Sequence, residues 1–304
     1  MNWFWIAILG HVSNGVAFII DKALLSTAFK RSGTYAGLVG LLSLLVLVAI
    51  PWIKTWPSGW VIWIAAASGA GFVLALWAFF GALARAEASR VVPIVGSLIP
   101  ILTLVGTFLF LGERLTAPQL VGFAVLVIAT VILSSTGGNA RPSAATLGLA
   151  TMSALLFAMS SVTGKAVYDA AGFLPGFVST RIAAAITALL VVGAFDPTAG
   201  RELWSIIRPN QASRKKTAAQ AAGLALLGQS LGAVGFFFVQ LATARGSASL
   251  VNALQAVQYA ILVLAAFALH RRAPQLLGER LDRGVVLVKI AALALTAVGL
   301  ALVV

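Results

Sequence analysis

Asn252, Gln255 and Tyr259 recur at i, i+3 and i+7 in one apolar stretch, a spacing that puts all three on one face of a helix. Two amides and a phenol offer hydrogen bonds without charge. That chemistry can hold a polar solute or bond neighbouring helices to each other; it does not break a bond. His11 and Asn14 share a face near the amino terminus, and Gln229, Phe236 and Gln240 share another. Trp77 and Phe236 add flat ring faces that can wall a ligand or meet a cation. His11 has a near-neutral reference pKa, which suits proton coupling or contact with a substrate carboxylate. The same ring can equally be a neutral donor to a backbone carbonyl.

Catalysis needs a nucleophile–base pair, a metal cluster or a deep acid. Cysteine is absent and histidine occurs twice, as His11 and His270. All eight acids, Asp21, Glu87, Glu113, Asp169, Asp196, Glu202, Glu279 and Asp282, fall at the ends of apolar runs or between them. No enzyme, metal site or cofactor is expected. A membrane-embedded carboxylate carrying protons or sodium is disfavoured for the same reason.

The elements that hold these groups follow from composition. Of 304 residues, 61% are hydrophobic and 10% charged, against about 25% charged in a soluble domain. Ten apolar runs, at about 2–20, 34–53, 60–83, 89–111, 117–135, 145–167, 173–195, 218–243, 248–269 and 285–304, are each near the length of a membrane-spanning helix. The expected fold is therefore an all-α membrane protein of ten transmembrane helices. Polar groups within such spans are costly unless paired or facing a cavity, so each one is informative. Arg181, about a third of the way into the seventh span, could pair with an anionic substrate; snorkelling toward Asp169 or the headgroups is the expectation. Lys289, one turn into the tenth, is expected to snorkel too.

The formal net charge is +13, and its placement is one-sided. Connections after odd-numbered spans hold nearly all the Lys and Arg. The opposite set holds only Lys54, Arg114, Lys165 and Arg245. The positive-inside bias then puts both termini outside and the long connection at 196–217 in the cytoplasm. Trp3, Trp5, Trp52, Trp56, Trp60 and Trp63 gather on the terminus side as an aromatic belt. The basic excess reads as orientation and contact with anionic lipid, and no nucleic-acid partner is expected.

The chain also repeats itself. Leu111-Gly112-Glu113-Arg114-Leu115 recurs as Leu277-Gly278-Glu279-Arg280-Leu281, with a seven-residue insertion around 270–276. Ala-Arg-Ala-Glu-Ala-Ser at 84–89 faces Thr-Ala-Arg-Gly-Ser-Ala at 243–248, and Lys22-Ala23 matches Lys165-Ala166. Two five-helix units follow, 1–140 and 141–304. Five is odd, so the second is inverted relative to the first, the architecture in which a substrate site lies between the halves near the midplane. In this register Asn252, Gln255 and Tyr259 correspond to Pro93, Gly96 and Pro100, and Phe236 to Trp77. The first trio supplies hydrogen bonds; the second loosens a helix and frees carbonyls, suiting it to gating. Glu113 with Thr116, Pro118 and Gln119 reads as a helix start.

The first half resembles the EamA-type repeat of the drug/metabolite transporter superfamily. The resemblance rests on Trp77-Ala78-Phe79-Phe80-Gly81-Ala82-Leu83, Ala88-Ser89, Pro100, the pentapeptide at 111–115, and Gly122. In the second half Tyr259 replaces the family's proline and Val288 its glycine. The resemblance implies a carrier for a small molecule in the lipid bilayer, with both termini cytoplasmic, opposite to the charge count. The expected activity is secondary transport of an amino-acid-like or amphipathic metabolite across the plasma membrane by alternating access, in the export direction, by a monomer or homodimer. One alternative is uptake of a choline-like quaternary amine in a partial cage of Trp77, Phe236 and Tyr259. Another is a non-enzymatic flippase subunit. The expected substrate contacts are His11, Asn14, Trp77, Gln229, Phe236, Asn252, Gln255 and Tyr259.

Overall fold

A computed structural model describes residues 2–28, 32–86, 88–135, 142–195, 198, 200, 216–269 and 283–304. The second pentapeptide, at 277–281, and the insertion at 270–276 lie outside the described residues. So does most of the long connection at 196–217. Among the described residues the protein is all helix. Nine helices are long and apolar enough to cross a bilayer, and the shorter stretch Gly37–Trp52 is the tenth span. The protein is a ten-helix membrane protein.

In chain order the helices are α1 Trp3–Ala28, α2 Ser32–Leu42, α3 Trp60–Leu83, α4 Ala88–Leu111, α5 Ala117–Ser134, α6 Ala144–Ala171, α7 Phe173–Leu190, α8 Lys216–Arg245, α9 Ala248–Ala253, α10 Gln255–Leu269 and α11 Arg283–Val303. α2 runs on as a 3-10 helix, Ser43–Trp52, and α7 ends in a π turn, Val191–Phe195. The pentapeptide at 111–115 is a connector. Gly112 takes a positive φ that closes α4, and Thr116 and Gln119 form the capping box that opens α5 with Pro118 in its first turn.

Helix association in lipid depends on close backbone approach and interhelical hydrogen bonds. α1 packs along α8, α3 along α6 and α7, α4 on α6, and α5 along α11. With the first five spans numbered against the second five, the pairs α1–α8 and α3–α6 exchange into each other. Ser68 Oγ donates to the Ser160 carbonyl at 2.9 Å, and Ser160 Oγ returns a bond to the Ser68 carbonyl at 2.8 Å. Ser153 Oγ adds a third link, to Ala75 O at 3.0 Å. A Cβ at Gly69 would strike the Thr180 carbonyl, so only glycine lets α3 come this close to α7. Apolar side chains such as Phe110 and Trp63, 78% and 76% exposed, form the outer surface that meets lipid. A core of Phe4, Ile6, Phe123, Leu126, Leu250 and Leu254 fills the space between α1, α5 and α9.

The ninth span is in two pieces, α9 and α10, with Leu254 between them. The Val257 N–H bonds the Leu254 carbonyl, a tighter step than a regular α-turn. The sequence points to loosening at Pro93, Gly96 and Pro100 instead, yet α4 is continuous through both prolines. In α4, Ser97 Oγ bonds the Ile94 carbonyl and Thr103 Oγ1 the Ile99 carbonyl, so the side chains near the prolines bond within their own helix. In the ninth span the polar side chains bond other groups, and a neighbouring helix takes up a carbonyl.

Candidate functional site

That carbonyl belongs to Val251. In an unbroken helix its donor would be the Gln255 N–H, across the break. Here His11 Nε2 lies 2.8 Å from it, and since a carbonyl only accepts, the ring donates. Nδ1 is buried with no hydrogen-bond partner among the described residues. The Gln258 side chain lies alongside. His11 thus donates to a backbone carbonyl.

On the other side of the break, Asn252 Nδ2 donates to Thr103 Oγ1 of α4 at 2.9 Å and Ser161 Oγ of α6 at 3.2 Å. Gln255 Nε2 donates to Tyr259 Oη at 2.9 Å. The phenol is buried against Gly96, where an added Cβ would stand 2.8 Å from its oxygen. Thr103 meets Asn252, and Gly96 meets Tyr259, so the ninth span runs antiparallel to α4. The predicted stripe is one polar seam, and it faces the helix that aligns with it in the repeat.

The other predicted contacts are more scattered. Asn14 is half-buried at the α1–α8 crossing, wedged where a Cβ on Gly235 would collide with it. Gln229 is half-buried on α8. Trp77 is 37% exposed and, among the described residues, makes no ring contact with the Phe236 group. Phe236 sits in an aromatic cluster, 5.1 Å from Phe72 and 6.3 Å from Phe177 between ring centroids.

At the centre of that cluster is Arg181, and here the structure corrects the sequence reading. Arg181 does not snorkel: it is only 4% exposed. Asp169 pairs instead with Lys165 at 2.7 Å. The Arg181 guanidinium carbon lies 4.6 Å from the Phe72 ring centroid, 4.6 Å from Phe236 and 5.9 Å from Phe177. Its Nε is buried with no hydrogen-bond partner, and no ion pair to it exists among the described residues. Tyr168 is within electrostatic reach, but its hydroxyl donates to Gln240 Oε1 at 3.1 Å and so keeps its proton. Phe173 and Phe237 extend the ring cluster. A desolvated cation–π contact is worth about 2 kcal/mol, whereas burying an unpaired ion costs several kcal/mol even after relaxation. The rings shelter the charge without neutralising it.

Lys289 does not snorkel either. It is 1% exposed, and its Nζ donates to the Leu133 carbonyl at the end of α5 at 3.1 Å. The α11–α5 packing carries it inward, where a helix-end carbonyl is within its reach.

Residues that sequence reasoning missed are Thr103, Ser161, Phe72, Phe177 and Tyr168. One signal was present: Phe173, Phe177 and Arg181 at i, i+4 and i+8 share a face of α7. A cation with ring partners on its own helix and no acid in the span points to a cage.

Residues 1–135 match the sequence model of the EamA-like transporter family, which belongs to the drug/metabolite transporter superfamily. The match covers a little under half of the chain. A solved crystal structure, described only as that of a protein, is similar over 98% of this chain and 97% of that one. Its TM-score is 0.64 and its identity 17%, which extends the likeness of fold over both halves. No match was found among curated proteins. EamA-like proteins are transporters and not enzymes, and this likeness, with the nine long apolar helices, supports a multi-pass membrane transporter of the drug/metabolite type. The likeness implies a small-molecule substrate and the lipid bilayer as partners.

Proposed function

We propose that the protein is a secondary transporter that moves a small amino-acid-like or amphipathic solute out of the cell, across the plasma membrane, by alternating access. The observation that carries this reading is the seam at the broken ninth span. Asn252, Gln255 and Tyr259 face α4, and Asn252 ties α4 to α6, bringing together parts of the 1–140 and 141–304 repeats. Polar side chains and an interrupted helix at the repeat interface are the means by which inverted-repeat carriers hold a solute. Asn252 and Gln255 offer the solute hydrogen bonds. Asn14, Gln229, Trp77 and Phe236 complete the contacts, and His11 holds the break in shape. Pro93, Gly96 and Pro100 give α4 the freedom to shift as the site opens.

Uptake of a quaternary amine is the weaker reading. The Phe236 ring already meets the Arg181 guanidinium, and Tyr259 is packed on Gly96. A second cation at that ring would meet repulsion with no acid to offset it.

Purified protein in liposomes tests the reading, with radiolabelled amino acids, choline and nucleosides screened with and without a pH gradient. The expected result is flux of an amino-acid-like solute, reduced by Asn252→Ala and Trp77→Ala. Flux of none of the three classes and of no organic carboxylate would overturn the reading.

A further inference from the structure

Arg181 presents a different problem from the seam. Its charge lies roughly 12 Å along α7 from Phe173, at about 1.5 Å per residue, inside a span. It is almost wholly buried, and no acid pairs with it among the described residues. The Tyr168 phenol, within electrostatic reach, directs its O–H to Gln240 Oε1. The walls come from both repeats, Phe72 on α3 and Phe177 and Phe236 on α7 and α8. The charge is thus shared by elements on both sides of residue 140. Its Nε–H is left without an acceptor, and the guanidinium edge is a planar fork shaped for a carboxylate.

We propose that Arg181 is the anchor of an anion site, binding a small organic carboxylate whose apolar body packs against Phe72, Phe177 and Phe236. One guanidinium matches one negative charge, and ring faces around it favour an apolar substituent over a second ionised group. The proposal rests on the transport reading for the claim that this ligand is carried, and it names that substrate's class. It also gives the export direction a driving force. A monoanion moving without a coupled proton is expelled by an inside-negative potential.

The test is equilibrium binding of radiolabelled phenylacetate to the purified full-length protein in detergent, competed by phenylacetate, phenylacetamide and phenethylamine. The expected result is competition by phenylacetate at a concentration at least ten-fold below either analogue. This comparison uses the unaltered chain, so it stands even if a variant misfolds. Arg181→Gln, shown monodisperse, should weaken phenylacetate at least ten-fold while leaving phenylacetamide unchanged, and Arg181→Lys should recover part of the loss. Equal or better competition by the amide or the amine would overturn the site. So would phenylacetate binding to Arg181→Gln at unaltered strength, or displacement by phosphatidylglycerol in place of phenylacetate. Selective binding with no flux of any solute in liposomes would overturn the transport reading and leave the anchor standing. Flux of neutral or cationic solutes without carboxylate selectivity would do the reverse.

Discussion

Gly96 and the Tyr259 hydroxyl approach so closely that a methyl group at Gly96 would lie 2.8 Å from the phenolic oxygen. Gly96→Ala should therefore cost about 1–3 kcal/mol through overpacking, read as a lower unfolding temperature in detergent. Removing the hydroxyl makes room. Gly96→Ala with Tyr259→Phe should be more stable than Gly96→Ala alone, whereas simple additivity would show that the contact is not the cause.

Asn252 bonds side chains on two other helices. Hydrogen bonds between membrane helices average about 0.6 kcal/mol, with a maximum near 1.7, so Asn252→Ala should destabilise by about 1 kcal/mol. A double-mutant cycle with Thr103→Val should show coupling, because each single change removes the same bond. Substrate flux should fall further than stability does, if Asn252 also meets the solute.

His11→Ala leaves the Val251 carbonyl without the side-chain donor it has at the break. A buried polar group so abandoned costs about 1–3 kcal/mol. His11→Gln, which restores a donor at similar reach, should recover much of that loss in a thermal unfolding assay. If His11 serves the fold in this way, the response of flux to a pH gradient should be the same in His11→Gln as in the unaltered protein. A lost response would assign proton coupling to the ring.

The reciprocal serine bonds give a cleaner stability test. Ser68→Ala and Ser160→Ala each remove one bond between α3 and α6 without altering packing volume much. Each should cost about 0.6 kcal/mol. Thr163, one turn further along α6, is the internal control. Its hydroxyl bonds the Met159 carbonyl and, at 3.3 Å, the Ser160 carbonyl, both of its own helix, so Thr163→Val removes no bond between helices and should leave helix association nearly unchanged.

How far the sequence discloses this molecule depends on the range of the interaction. Spans are local, and apolar runs of the right length marked them, although α1 continues to Ala28, beyond the run that ends near residue 20. The cap at Thr116 and Gln119 is also local, three residues apart, and it reads directly from the chain. The break at Leu254 left no such mark. No glycine or proline stands there, and the visible helix-breakers, Pro93 and Pro100, sit in a helix that absorbs them. What interrupts the ninth span is tertiary: Asn252 reaching to Thr103 and His11 reaching to Val251. Arg181 was conspicuous by type and depth, but its partners Phe72 and Phe236 are remote in sequence, and ring faces leave no charge pattern to find. Lys289 shows the same limit, since one of its bonds reaches a backbone carbonyl 156 residues away, a partner that no residue type marks in the sequence.

Ser68 and Ser160 stand on opposite sides of residue 140, and each grips the other's backbone. The packed groups therefore take α3 from one half of the chain and α6 and α7 from the other, while α1 and α8 form a counterpart by the same exchange. The division of the chain into halves and the divisions between packed groups are different lines through the molecule. Any lever motion would swing composites of the two repeats, so neither repeat has a complete moving arm of its own.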